Sequence, residues 1–286
     1  MLAAAACGLA ACGSSHRATA PGTTTGPAAH TSTSAAAGRG TGAAPARHVA
    51  PVPTGPRRAP VTILMYHVVT AAPAGTPYPQ LWVPAPLFRA QMRALARAGY
   101  HATTLLRAWR AWHGRATMPR NPIVVSFDDG YLSQYTSARP ALAALHWPGV
   151  LNLEVHNIGA DGLPRHLVRA LVRGGWEVDA HTLTHPDLTK VDAARLRTEV
   201  AGSRAYLRRA FGIPVDFFCY PAGRFDPTVQ AAVRAAGYLG ATSTRPARAS
   251  PTGDPYALPR LRVTPDMTPS ELLAHVRALP TSGRPS

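Results

Sequence analysis

At 286 residues and 46% apolar content, the chain has enough material for one large α/β domain or two small ones. Its formal charge of +16 is carried almost wholly by arginine, Lys190 being the single lysine. These basic residues are dispersed and follow no zinc-finger, RNP-type or basic–aromatic pattern, which argues against nucleic acid and leaves an anionic cell surface as the partner such a charge suits.

Residues 1–11 read MLAAAACGLAA, small and apolar but far too short to span a bilayer. Leu9-Ala10-Ala11-Cys12, followed by Gly-Ser-Ser, resembles the lipobox of a bacterial lipoprotein signal, with Cys12 as the lipidated residue. The basic residues that usually precede such an apolar run are missing. The competing reading is an alanine-rich start with no targeting role. Residues 13–60 are rich in Ala, Gly, Ser, Thr and Pro with no hydrophobic period, the composition of a disordered linker. A folded domain is expected over 61–280 and a short tail over 281–286. An anchor and tether of this kind would hold a monomeric domain on the outer face of the cell membrane; a secreted form is the alternative. Cys7 lies in the leader and Cys219 stands alone in the domain, so a disulfide framework is excluded, and Cys219 fits a small buried residue on a strand.

Within the domain, 61–67 is a strand-like run ending in His67, and 84–98 repeats apolar residues at helical spacing up to Gly99. His101 to Leu105 reads as a short strand, 123–127 as a strong one, and 140–146 as a helix. Strands at 150–155 and 176–181 flank a helix at 163–173. A long helix follows over 192–210, then a strand at 215–220, a helix at 227–236, strands at 238–242 and 258–263, and a last helix at 269–279. Strands alternating with helices predict parallel βαβ units, and seven or eight of these close into a distorted (β/α) barrel.

Several strands end in residues that ligate metals or move protons. Ile123-Val-Val-Ser-Phe127 runs into Asp128-Asp129-Gly130, and two carboxylates at a strand end can swing toward one cleft. One can hold a cation while the other stays ionised beside it; a helix N-cap after a buried strand is the plainer reading. His181-Thr-Leu-Thr-His185 puts two imidazoles four residues apart, on one side of an expected helical turn. Two histidines and one carboxylate form the donor set of hydrolytic zinc sites that keep positions open for water. A divalent ion there lowers the pKa of water and polarises a carbonyl, leaving the spare Asp as base and a separate His as acid. His67 and the Tyr220-Pro221-Ala222-Gly223 turn end two further strands, and in a parallel barrel all strand C-termini share one face.

FDDG at 127–130 and HTLTH at 181–185 resemble the first two motifs of the polysaccharide deacetylases, the NodB-homology domains of carbohydrate esterase family 4. The similarity extends through Phe217–Gly223 and spans about 61–279. It implies Asp128 as catalytic base and Asp129, His181 and His185 as ligands of a divalent metal, zinc first, with cobalt or nickel as alternatives. It implies hydrolysis of N-acetyl groups on an amino-sugar polymer such as peptidoglycan, chitin or poly-N-acetylglucosamine. O-acetyl ester or small-amide hydrolysis on the same site, and a decayed glycan-binding protein, are the alternatives.

The chain also departs from that pattern. Where the third motif carries an arginine before its Pro-Pro-Tyr-Gly turn, Cys219 stands here. Arg260 is the candidate to orient the base instead; a surface or barrel-end arginine is the other reading. The general-acid histidine of the family's late Leu-x-His motif has a string match at His275, but mid-helix. His67 is the better candidate, as in a circularly permuted branch that includes poly-N-acetylglucosamine deacetylases. Tyr131, Tyr220, Trp82 and the backbone of Ala222 are candidate substrate contacts, with loop packing an equal reading for Trp82. Asp179 either orients His181 or is a solvated barrel-end acid.

Overall fold

The computed structural model describes residues 52–159 and 162–282. Cys12, the leader, most of the expected linker and residues 283–286 lie outside the described residues. In chain order the elements are β1 (Thr54–Gly55), β2 (Thr62–Tyr66), α1 (Ala85–Arg97), β3 (His101–Ala102), α2 (Leu105–Trp112), β4 (Met118–Pro119), β5 (Pro122–Asp129) and α3 (Arg139–Ala143). They continue with β6 (Val150–Leu153), α4 (Arg165–Arg173), β7 (Glu177–Ala180), α5 (Ala193–Arg197), α6 (Ser203–Phe211), β8 (Phe217–Cys219), α7 (Pro227–Ala235), β9 (Gly240–Thr242), β10 (Leu261–Arg262) and α8 (Pro269–Ala278).

One parallel sheet runs in the order β10-β2-β5-β6-β7-β8-β9, with β3 alongside the start of β5. It curls into a distorted barrel, and an isolated parallel bridge between Thr242 and Leu258 carries it from β9 toward β10. The expected α/β class and parallel connectivity are thus the observed ones. Alternation along each strand sends Leu64, Tyr66, Val125, Phe127, Leu151 and Phe218 outward into one buried apolar layer under the helices. Ile63, Val124, Val150 and Phe217 pack in a second cluster with Leu105, Ala108 and Trp112 of α2, which plugs the N-terminal end of the barrel. That end is closed by apolar packing, so polar chemistry has the opposite mouth to itself.

Two expectations change. The stretch to residue 60 was expected as linker, yet β1 pairs antiparallel with β4, and the Trp112 indole donates to the Ala59 carbonyl at 2.9 Å. Ordered chain therefore begins before residue 60. The strand expected over 101–105 is only β3: Thr104 caps α2 by accepting from Arg107 N at 3.2 Å, so Leu105 opens a helix. The helix expected over 192–210 is present, with one π turn at Thr198–Gly202 between α5 and α6.

Candidate active site

β5 ends on Asp128 and Asp129, and parallel pairing puts the ends of β2, β6, β7 and β8 around them. A cavity of about 600 Å³ opens at this mouth, lined by His67, Asp128, Asp129, His181, His185 and Arg260 among others. Asp128 is 2% exposed and fully occupied. Arg260 grips it bidentately, Nη1 to Oδ1 at 2.7 Å and Nη2 to Oδ2 at 2.8 Å, while Asn152 Nδ2 donates to Oδ1 at 2.7 Å. Burial pushes the Asp128 carboxyl up, but the Arg260 charge and hydrogen bonds outweigh it and hold the group far below the usual carboxylate range. His67 Nε2 stands 3.8 Å from Oδ2.

Arg260 immediately precedes β10 and reaches over to the Cys219 position. Its Nε donates to the Ser243 carbonyl at 2.9 Å, and Nη2 reaches Cys219 Sγ at 3.2 Å. Cys219 is a buried strand residue, as its isolation in the sequence suggested, and leaves the space that the guanidinium fills. Arg260 is thus no surface arginine: it is 1% exposed.

Asp129 differs from its neighbour. It adopts φ 75°, which turns its carboxylate away from Arg260 toward two imidazoles: His181 Nε2 lies 3.4 Å and His185 Nε2 3.7 Å from Oδ1. Oδ1 is buried with no hydrogen-bond partner among the described residues. His181 Nδ1 is 2.7 Å from the Cys219 carbonyl, which only accepts, so Nδ1 carries a proton and Nε2 is the nitrogen turned toward Asp129. One carboxylate oxygen and two imidazole nitrogens thus converge on one point. Two imidazoles and one carboxylate are a donor set that fits a divalent metal, so Asp129, His181 and His185 could hold one.

The loop carrying the two histidines is not the expected helical turn. Thr182 and His185 have φ of 69° and 53°, and buried Glu199 holds the bend by accepting from Leu183 N at 2.9 Å and Thr184 N at 3.0 Å. Glu199, contributed by the π turn, escaped the sequence reading. So did Gln134, whose Nε2 donates to the carbonyls of His67 (2.9 Å) and Asp128 (2.6 Å) and ties β2 to β5. Glu154 lines the cavity; burial, then Asp129, raises its carboxyl to about 7. These three are ordinary polar residues in sequence, and only strand register gives them a place.

Tyr131, Tyr220 and Ala222 all line the cavity. Burial, then the Asp129 charge, pushes the Tyr131 phenol up to about 12, so it stays a donor. The Tyr220 hydroxyl already donates to the Tyr256 carbonyl at 3.0 Å and its ring stacks on Phe225, which makes it a wall. Ala222 takes φ 52° and turns the chain at the rim. Trp82 does not line the cavity, and His275 is exposed on α8, away from it. Exposed Tyr78 stands at the lip instead. Asp179 takes neither expected role: it is 1% exposed, accepts from Phe217 N at 3.1 Å and neighbours Glu177 below the site.

A parallel barrel thus carries paired carboxylates and two histidines at its C-terminal mouth, grouped so that they could hold a metal ion. Residues 115–241 match the family model described as polysaccharide deacetylase. YxkH of Bacillus subtilis (strain 168), which carries that family's name, is 27% identical over 222 residues, 77% of each chain. The solved structure of the deacetylase PplD from Streptococcus pyogenes, in complex with acetate, superposes with a TM-score of 0.70 at 24% identity, covering 76% of this chain and 98% of that one. A shorter match, 37% identical over 62 residues, is to the poly-beta-1,6-N-acetyl-D-glucosamine N-deacetylase of Escherichia coli (strain K12); it covers 22% of this chain and 9% of the enzyme. By these comparisons residues 115–241 resemble the polysaccharide deacetylases, and the barrel as a whole shares their fold.

Proposed function

We propose that this chain is a metal-dependent N-deacetylase that removes acetyl groups from N-acetylglucosamine-type residues of an envelope or extracellular polymer. The observation that carries this reading is the division of labour between adjacent carboxylates: Asp129 faces two imidazoles, while Asp128 is clamped by Arg260 and faces His67. Asp129, His181 and His185 would hold the metal, which when bound supplies Lewis acidity to the acetamide carbonyl and acidity to water. Asp128 Oδ2 takes the proton of the attacking water and, 3.8 Å away, His67 Nε2 relays it to the departing amine. Arg260 orients Asp128 and keeps it ionised between turnovers. The backbone turn at Ala222 lies on the cavity wall, where its N–H can be offered to the carbonyl oxygen. The short match to the E. coli enzyme supports an acetamido sugar as substrate. Arg260 also weighs against decay, since it fills the place of the missing third-motif arginine. The leader and Cys12 support an outer-surface, lipid-anchored location.

The test is acetate release from defined N-acetylglucosamine oligomers and from O-acetylated xylan, with and without chelator. Release from the oligomers that stops with chelator and returns with zinc or cobalt is expected. Release from xylan alone would replace the amide reading by an ester one.

A further inference from the structure

Arg260 immediately precedes β10 and Arg262 ends it; two residues apart in extended chain, they share a face and line the same cavity. The deeper one is saturated: Arg260 spends its donors on Asp128, Ser126, Ser243 and Cys219. Arg262, opposite Met65 of β2 in the parallel register, is half-buried and lines the same cavity nearer the mouth. It has neither an ion pair nor a side-chain hydrogen bond among the described residues.

The other charged groups facing that cavity are accounted for. Asp128 is matched by Arg260, Asp129 faces the two histidines, and Glu154 accepts from Asn157 Nδ2 at 3.1 Å on the β6 side, across the mouth from β10. Arg224, at the rim, pairs with Asp187 at 2.9 Å. Arg262 is left as a permanently charged, partly desolvated fork with nothing to bind. A carboxylate or phosphate is the planar or tetrahedral anion that such a fork takes bidentately. We infer that Arg262 selects polymers carrying an anionic substituent, a carboxylate or a phosphate, on or next to the acetamido sugar. This rests on the deacetylase reading above and adds to it the substrate's charge.

The experiment compares wild type, Arg262→Gln and Arg262→Lys on three oligomers: neutral N-acetylglucosamine, the same backbone with N-acetylmuramic acid (a lactyl carboxylate), and a phosphate-substituted form. Acetate release gives kcat and KM; calorimetry on the metal-loaded protein gives affinity independently of turnover. An anion-bearing oligomer should bind wild type about tenfold or more tighter than the neutral one, in keeping with a charge-assisted hydrogen-bonded pair. Arg262→Gln should erase that preference through KM, leave the neutral oligomer within about twofold, and be partly rescued by Arg262→Lys. Whichever anion shows the preference names the source. Equal loss on neutral and anionic oligomers, or no preference in wild type, overturns the inference while acetate release stands. Binding preference without any acetate release would instead sink the deacetylase reading and keep Arg262 as an anion site.

Discussion

The two oxygens of Asp128 are divided between a fixed side and a working side. Oδ1 takes Arg260 and Asn152, whereas Oδ2 takes Arg260 and looks toward His67. Removing the guanidinium would leave a buried carboxylate without its counter-ion, so Arg260→Ala should lower unfolding stability by about 3–5 kcal/mol. Chemical denaturation reads this, and an unchanged midpoint would show that the clamp is dispensable. His67 makes a pH prediction. Burial disfavours its imidazolium and outweighs the raising pull of Asp128 and Asp129, so its pKa lies below 6.5 and it is neutral at pH 7. A relay that must first accept a proton needs that neutral form. The acid limb of the kcat/KM profile should therefore fall below pH 6.5 and move when His67 is replaced. A profile that instead rises on acidification would assign the free-enzyme proton to His67 and contradict the relay.

Among the elements, the 181–185 loop shows most clearly what side-chain support does. Positive φ at Thr182 and His185 costs about 1–3 kcal/mol each, and Glu199 offsets part of that by satisfying two backbone donors in the bend. Glu199→Ala should weaken metal binding about 10–100-fold, measured by competition with a chromophoric chelator, while the barrel stays folded. Below the site, β7 carries Glu177 and Asp179 on one face. Burial, then each carboxyl's effect on the other, raises Asp179 well above its ordinary value, and burial raises Glu177. The folded state thus binds a proton that the unfolded chain has released, and this pair's stabilisation is lost as pH climbs through the folded value. Asp179→Asn should flatten the decline of the thermal midpoint on the alkaline side; an unaltered slope would place the proton elsewhere. Legibility at this scale followed locality. The run 123–129 announces a strand ending in two carboxylates. His67 is legible because it too closes a strand, whereas Arg260, just ahead of β10, is reached only through the arginine that Cys219 replaces. The helical turn at 181–185 was misread because Glu199, sixteen residues on by sequence number, sets the bend. Asn152, Gln134 and Glu154 were invisible because register alone gives them partners.

At the level of the whole molecule, α2 closes one barrel end with apolar side chains, and the other end gathers every group proposed to take part in the reaction. Parallel connectivity explains that segregation, since it delivers all strand C-termini to one rim. No helix among the described residues is long and apolar enough to cross a membrane, so attachment to one would rest on the leader and Cys12. The account turns on one cation shared by Asp129, His181 and His185, with Asp128 beside it and unliganded. Metal content and acetate release, measured together on Asp128→Asn and Asp129→Asn, test this most directly. Asp128→Asn should keep one equivalent of metal and lose turnover, and Asp129→Asn should lose both. Persistent turnover in the first variant, or undiminished metal affinity in the second, would contradict it.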